Sequence, residues 1–318
     1  MENVKIVISD CSWGNIDVER RYLPPQAQVQ GHQIADEETL IEVCRDADAV
    51  LAEYAPFTRQ VIERLERCRV IGQTAIGYDN IDLDAAREKG IRVTNVPGYC
   101  AGEVADHTMA LMLACLRGVV EGDRQIRQGR WDLSALPPLH RLAGRTVGLL
   151  GFGDIARAVA RRAAAFEMRV LVWSRRMTPE RAAANGVAYA PLEQLLAEAD
   201  VLSCHLPLSA ETRHFLNAER LGQCKRGVVL INTSRGALVD EGALVQMLQS
   251  GQVAAAGLDV LEHEPPAFDQ ALFAQQHVII TPHSGFYSEE ALEEVRRRSA
   301  QNVAAVLAGQ PERASVVI

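Results

Sequence analysis

The chain has 318 residues, 48% of them hydrophobic and 23% charged, with a formal net charge of −8. That length suits two cores better than one, and the composition is globular rather than disordered. The acidic balance offers no basic surface to nucleic acid and disfavours an anionic membrane, and the longest apolar stretch, residues 109–116, is far too short to span a bilayer.

The chain opens with a buried strand, Val4–Ser9, whose apolar core is too short for a secretory signal. Further strands are predicted at Ala49–Ala52, Val70–Gln73 and Arg92–Asn95, with helices at Glu37–Cys44, Arg59–Arg67 and Asp84–Lys89 between them. Gly90 stops the last of these helices. Residues 104–116 read as a helix apolar on nearly every side, which predicts burial all round at a domain junction and a subunit interface. A linker with Gly129, Pro137 and Pro138 follows. After Arg145 the alternation restarts, with strands at Thr146–Leu150, Arg169–Trp173, Val201–His205, Val228–Thr233, Ala254–Asp259 and Val278–Thr281. Strands separated by helices define parallel βαβ units, so the fold class is α/β with two doubly wound parallel-sheet domains. The last helix, Glu289–Leu307, is expected to cross back to the first domain, which makes that domain discontinuous. Seven cysteines without a CxxC pair point to reduced thiols in a cytoplasmic protein.

Gly151-Phe-Gly-Asp-Ile-Ala156 sits directly behind the strand at 146–150 and opens a helical stretch, Ile155–Phe166. A strand, a glycine turn and a helix in that order can hold a dinucleotide pyrophosphate. Gly151 permits the tight turn, Gly153 lets a phosphate approach the backbone, and the helix start offers N–H groups and a positive dipole end. Many α/β turns carry two glycines for steric reasons alone, so the motif needs its context.

That context is the row of strand ends, because ligands of open parallel sheets bind outside the carboxyl ends. Ser234-Arg235-Gly236 follows one strand, Glu262-His263-Glu264-Pro265 the next, and Pro282-His283-Ser284-Gly285 the third. An arginine fork binds a carboxylate and polarises a neighbouring carbonyl, and a histidine moves a proton near neutral pH. A carboxylate on the other ring nitrogen fixes the tautomer. Beside a nicotinamide, Arg235, Glu264 and His283 would interconvert a 2-oxo acid and a 2-hydroxy acid. Singly, each residue could equally be a surface or core group. His205, before Leu206-Pro207, is expected to line the cofactor groove, and His263 to be exposed.

These residues resemble the D-isomer-specific 2-hydroxyacid dehydrogenase family along nearly the whole chain. The resemblance rests on GYDNID (77–82), VADHTMALML (104–113), GFGDIA (151–156), CHLPLSAETRHFLN (204–217), INTSRGALVDEGAL (231–244), GLDVLEHEPP (257–266) and TPHSGFYSEEA (281–291). It implies a Rossmann cofactor domain, residues 100–285, inserted in a discontinuous flavodoxin-like substrate domain, residues 1–99 and 286–318, and a homodimer. It assigns Arg235, Glu264 and His283 to catalysis and Asp259 to the nicotinamide carboxamide. Thr233, Ser234, Leu206, Asp154 and Ile155 fall on positions lining the dinucleotide, and Ile76, Pro207 and Thr212 join that cofactor set. Residues 97–108 and 281–290 are most similar to the C-terminal-binding-protein branch, with Phe286 where that branch has a substrate-contacting tryptophan. Ala75-Ile76-Gly77 offers successive N–H groups to a substrate carboxylate, and Tyr54 and Phe286 join the substrate set. Glu53 is expected to repel a second carboxylate on the substrate. No metal site is expected.

About twenty residues past the glycine turn an acidic residue normally grips the ribose of NAD. Here Ser174-Arg175-Arg176 stands there, which suits a 2′-phosphate, so NADP(H) is expected over NAD(H). The leading reading is an NADPH-dependent 2-oxoacid reductase of the glyoxylate or hydroxypyruvate type. The alternatives are an NAD-dependent D-2-hydroxyacid dehydrogenase and a cofactor-sensing corepressor.

Overall fold

The computed structural model describes residues 4–318. Its first elements are β1 (Lys5–Ile8), α1 (Asp17–Tyr22), β2 (Gln28–Gly31), α2 (Glu37–Cys44), β3 (Ala49–Ala52), α3 (Arg59–Arg64), β4 (Val70–Gln73), α4 (Leu83–Glu88) and β5 (Arg92–Thr94). Two helices follow, α5 (Ala101–Arg117) and α6 (Val119–Arg127). Then come β6 (Thr146–Leu150), α7 (Asp154–Ala165), β7 (Arg169–Trp173), α8 (Pro179–Ala184), β8 (Ala188–Tyr189), α9 (Leu192–Glu198) and β9 (Val201–Cys204). The chain ends through α10 (Ala218–Gln223), β10 (Val228–Asn232), α11 (Glu241–Gln249), β11 (Val253–Leu258), β12 (Val278–Ile280) and α12 (Glu289–Leu307). It divides into two compact units: one reaches to Tyr99 and resumes at Ser288–Ile318, and the other is Cys100–Tyr287.

The first unit holds a five-stranded parallel sheet in the order β2-β1-β3-β4-β5. Its central strands β3 and β4 are buried at every position. The helix α12 packs on this sheet so closely that a Cβ on Gly72 would lie 2.5 Å from Val303 Cγ2. A buried ion pair of Arg296 with Glu19, at 2.6 and 2.7 Å, fastens α12 to α1.

The second unit holds a seven-stranded parallel sheet in the order β12-β11-β10-β9-β6-β7-β8. From β6 the chain winds outward to β8, then returns to β9 and winds the other way. The strand order therefore reverses between β6 and β9, where a parallel sheet leaves a crevice at its carboxyl edge. The two all-parallel sheets confirm the doubly wound α/β class.

Three differences from the sequence expectation have physical reasons. The strand β2 went unpredicted because it is a polar edge, Gln28-Val-Gln-Gly31, largely exposed. The two-residue β8 is too short to show periodicity. The helix α5 was expected to be buried all round; in its unit Val104, Ala105, Met109, Leu111 and Met112 are buried, whereas Asp106 and Ala110 are exposed. Small and charged residues make its other face, so α5 is one-sided within the unit. All seven cysteines are free. Among the described residues no helix is long and apolar enough to cross a membrane.

Candidate active site

The glycine turn lies at the reversal point. Gly151 adopts φ +99°, and a Cβ there would fall 2.4 Å from the carbonyl oxygen of His205. Only glycine lets the end of β6 pass the end of β9 at that distance. Gly153 differs: a Cβ on it would meet nothing within 4 Å. No side chain caps α7, whose first residues are Asp154 and Ile155. The first turn thus presents uncapped N–H groups beside open space at Gly153, which fits a pyrophosphate.

The three strand ends carry the expected triad within the same unit. The Nδ1–H of His283 donates to Glu264 Oε2 at 2.6 Å, with the two side chains 28% and 33% exposed. The other oxygen of Glu264 accepts the N–H of Leu261 at 2.9 Å. Phe286 meets the His283 ring edge-on, with centroids 6.3 Å apart. Arg235 follows β10; its carbonyl accepts from Asn232 Nδ2 at 2.8 Å, and its Nη1 donates to Ser234 O at 2.9 Å. Ser234 is fixed by Asn232 Oδ1 on its N–H at 3.0 Å and by donation from its hydroxyl to Leu206 O at 3.1 Å. Behind Arg235, a Cβ on Gly236 would come within 1.8 Å of the Leu261 carbonyl carbon. The arginine turn and the glutamate loop therefore lie directly against each other.

Asp259 organises the turn of His283. Its carboxylate accepts from the Thr281 hydroxyl at 2.6 Å, from Ser284 N–H at 2.9 Å and from Gly285 N–H at 2.8 Å, and His107 Nε2 lies 3.2 Å away. His107 Nε2 is also 2.9 Å from the Thr281 hydroxyl. Burial raises the carboxyl's pKa, but the bonds from His107, Thr281, Gly285 and Ser284 together outweigh it, so the net shift is downward. The side chain is 3% exposed and its oxygens are engaged by these donors. In this structure Asp259 braces the turn of His283.

The remaining cofactor positions are dispersed along the same edge. Leu206, Thr212 and Thr233 are buried. The Thr212 hydroxyl donates to Pro207 O at 2.7 Å, and the Thr233 hydroxyl meets that of Thr108 at 2.8 Å. His205 turns its Nε2 to Ser203 Oγ at 2.9 Å, and burial pushes its pKa down to about 4, so it is neutral at pH 7. Beyond β7, Ser174 is half-buried, and Arg175 and Arg176 are exposed. Arg175 is ion-paired with Glu211. His263 is exposed as expected.

The expected substrate residues Tyr54 and Ala75–Gly77 belong to the first unit. Tyr54 is exposed. The carbonyls of Ala75 and Ile76 accept from Val96 N–H at 2.9 Å and Asn95 Nδ2 at 2.8 Å. These bonds leave the N–H groups of Ala75, Ile76 and Gly77 without an acceptor among the described residues. Glu53 corrects its expectation: burial, reinforced by the charge of Asp10, pushes its pKa up to about 8. At neutral pH its protonated form predominates, which weakens repulsion of a second carboxylate.

Sequence reading missed His107, Thr281 and Gly236. His107 and Thr281 stand inside the motifs VADHTMALML and TPHSGFYSEEA, but only the fold shows that they meet at Asp259. The constraint on Gly236 comes from a loop some 25 residues onward, which no local pattern reveals.

Comparison with known proteins identifies the family. The model of the D-isomer specific 2-hydroxyacid dehydrogenase NAD binding domain matches residues 109–285. A glyoxylate reductase from Korarchaeum cryptofilum is 40% identical over 275 residues, 85% of this chain and 83% of that protein. A hydroxypyruvate reductase from Thermotoga maritima is 39% identical over 260 residues, covering 80% of this chain and 83% of that one. The crystal structure of a glyoxylate reductase from Paecilomyes thermophila superposes with a TM-score of 0.90 at 32% identity, over 100% of this chain and 99% of that one. The chain belongs to the D-isomer-specific 2-hydroxyacid dehydrogenase family.

Proposed function

We propose that this protein reduces 2-oxo acids of the glyoxylate or hydroxypyruvate type to D-2-hydroxy acids, using NADPH in preference to NADH. The observation that carries the reading is the 2.6 Å bond between His283 and Glu264 beside the Arg235 turn. The reductases named above support it. Arg235 binds the substrate carboxylate and polarises the adjoining carbonyl. His283, held by Glu264 through Nδ1, donates a proton from its other ring nitrogen to the carbonyl oxygen, which becomes the hydroxyl. Within the first unit, Ala75–Gly77 offer N–H groups suited to a carboxylate and Tyr54 is exposed, and in the second unit Phe286 packs beside His283. A bound reduced nicotinamide supplies the hydride.

The cofactor lies on Gly151, Gly153, Asp154 and Ile155 and along Leu206, Pro207, Thr212, Thr233 and Ser234, with Asp259 behind the nicotinamide end. Ser174, Arg175 and Arg176 hold the 2′-phosphate, and no acid stands at these positions after β7. The partner is a second copy of the chain, a reading supported by exposed apolar side chains at Val119, Ile126, Trp131 and Leu133. Steady-state reduction of a 2-oxo acid panel with each nicotinamide tests the function. Turnover preferring NADPH is expected; no turnover with any 2-oxo acid overturns the enzyme reading, and equal or better use of NADH overturns the cofactor choice.

A further inference from the structure

The loop after β11 carries two carboxylates, and each faces a histidine. Glu264 holds His283. Two residues earlier, Glu262 meets Nε2 of His214 at 3.0 Å. The second oxygen of Glu262 accepts the N–H of Glu241 at 3.1 Å, and the N–H of Glu262 donates to Glu241 Oε1 at 2.7 Å. The two glutamates clasp each other at the first residue of α11. That helix already has its cap, because Asp240 accepts the N–H of Ala243 at 2.9 Å. The clasp therefore does more than start a helix.

His214 links the clasp to the arginine. It stands at φ +50° and donates its N–H to the carbonyl of Ala237 at 2.7 Å, inside the turn that follows Arg235. Gly236 of that turn lies against Leu261 and Glu262, with 2.4 Å between a notional Cβ and the Glu262 nitrogen. The loop after β9, the Arg235 turn and the Glu264 loop are thus tied in one knot, with the His214–Glu262 pair across it.

We propose that Glu262 and His214 are positioning residues for the reaction, holding the Glu264 loop and the Arg235 turn in register so that Glu264 keeps its short bond to His283. This rests on the roles proposed above for Arg235, Glu264 and His283. Geometry at such a site is steep: a displacement of about 1 Å can cost on the order of 100-fold in rate. The knot is also charged. Glu262, His263 and Glu264 all lie within electrostatic reach of Glu241, and Asp259 and His107 stand behind the His283 turn. Removing one carboxylate changes the field as well as the geometry, so a test has to separate the two.

The experiment follows 2-oxo acid reduction against pH for the wild type, Glu262→Ala, Glu262→Gln and His214→Ala, with melting temperature and nicotinamide binding measured alongside. In Glu262→Ala, kcat should fall roughly tenfold while the cofactor Kd holds. The pH profile of the rate should also shift, because the 2.6 Å bond from Glu264 that holds His283 loses its support. Glu262→Gln loses the charge but keeps an acceptor for Glu241 N–H and a donor for the other tautomer of His214, so it should recover most of the rate and of the profile. His214→Ala should move both in the same direction by less. An unchanged rate and profile in Glu262→Ala overturns the proposal, as does a Gln variant as impaired as the Ala variant, which would make charge the cause. If Glu262→Ala does not fold, the half-exposed His214 decides, and an unmoved profile in His214→Ala overturns the proposal. A wild type that reduces no 2-oxo acid overturns the proposed function and this inference with it. An active wild type beside unaltered variants overturns the inference alone.

Discussion

Asp259 and His283 are joined through their backbones: the N–H of His283 donates to the carbonyl of Asp259 at 2.8 Å. The Asp259 carboxylate meanwhile takes the N–H groups of the next two residues, Ser284 and Gly285. This wrapping holds His283 at φ +51°, a conformation a non-glycine residue adopts only when its surroundings impose it. Asp259→Asn should release the turn, lowering kcat with little effect on the amount of folded protein at neutral pH. The acid limb of stability should change as well. The carboxyl's pKa is lowered in the fold, so its stabilisation is full above about pH 4 and is lost as pH falls through the lowered native value. Acid unfolding followed by circular dichroism should be less steep in Asp259→Asn, and identical curves would contradict the brace.

The two glycines of the cofactor turn should behave in opposite ways. Gly151→Ala drives a Cβ into the His205 carbonyl at a positive φ, so it should lower the melting temperature sharply. Gly153→Ala meets only open space, so stability should change by less than about 0.5 kcal/mol. Its cost should appear instead as a weaker nicotinamide Kd, read by fluorescence titration. Loss of stability without loss of binding in Gly153→Ala would count against the phosphate site.

His283→Ala should lower turnover by roughly 10²–10⁴-fold with nicotinamide affinity kept, the range expected for loss of a general acid. Arg235→Ala should raise KM for the 2-oxo acid and lower kcat together, because carboxylate binding and carbonyl polarisation disappear at once. Near wild-type kinetics in either variant would remove the assigned role.

Arg175 is paired with Glu211, which competes with any 2′-phosphate for its guanidinium. Glu211→Gln should therefore raise the ratio of kcat/KM for NADPH over NADH, and Arg175→Ala should lower it. The ratio measured at low and moderate salt gives a second check, since an exposed charge contact weakens with screening. A ratio that ignores both substitutions would place the 2′-phosphate elsewhere.

Glu53 should shape stability between the ordinary glutamate range and about pH 8. Its raised pKa means that the folded state holds a proton which the unfolded chain has given up, so stability declines as pH rises from the ordinary glutamate range to about 8. Glu53→Gln should flatten that decline in melting temperature, and a slope equal to the wild type's would show that Glu53 is not the group responsible.

Strands buried on both faces, such as β4 and β10, were legible in the sequence as continuous apolar runs. The edge strand β2 was not legible, since a polar strand with one open side reads as a loop. The nearness of Glu264 to His283, and of the Arg235 turn to the Glu264 loop, was legible because a parallel sheet sends successive strand ends to one edge. The parts that hold the triad were not. His107 reaches Asp259 across about 150 residues, and Gly236 is dictated by Leu261. Such contacts depend on how loops fold over one another, and no local period records them. Glu53 misled for a related reason: its charge depends on burial beside Asp10, 43 positions away.

His283, Glu264, Arg235 and the knot behind them all lie within the unit Cys100–Tyr287, whereas Tyr54 and Ala75–Gly77 belong to the other unit. Inheritance can therefore act on the two separately. Under the proposed roles, substitutions at Tyr54 or Ala75–Gly77 change none of the hydrogen bonds that hold Arg235, Glu264 and His283 within their own unit, so a lineage can vary the first unit and keep that bonding.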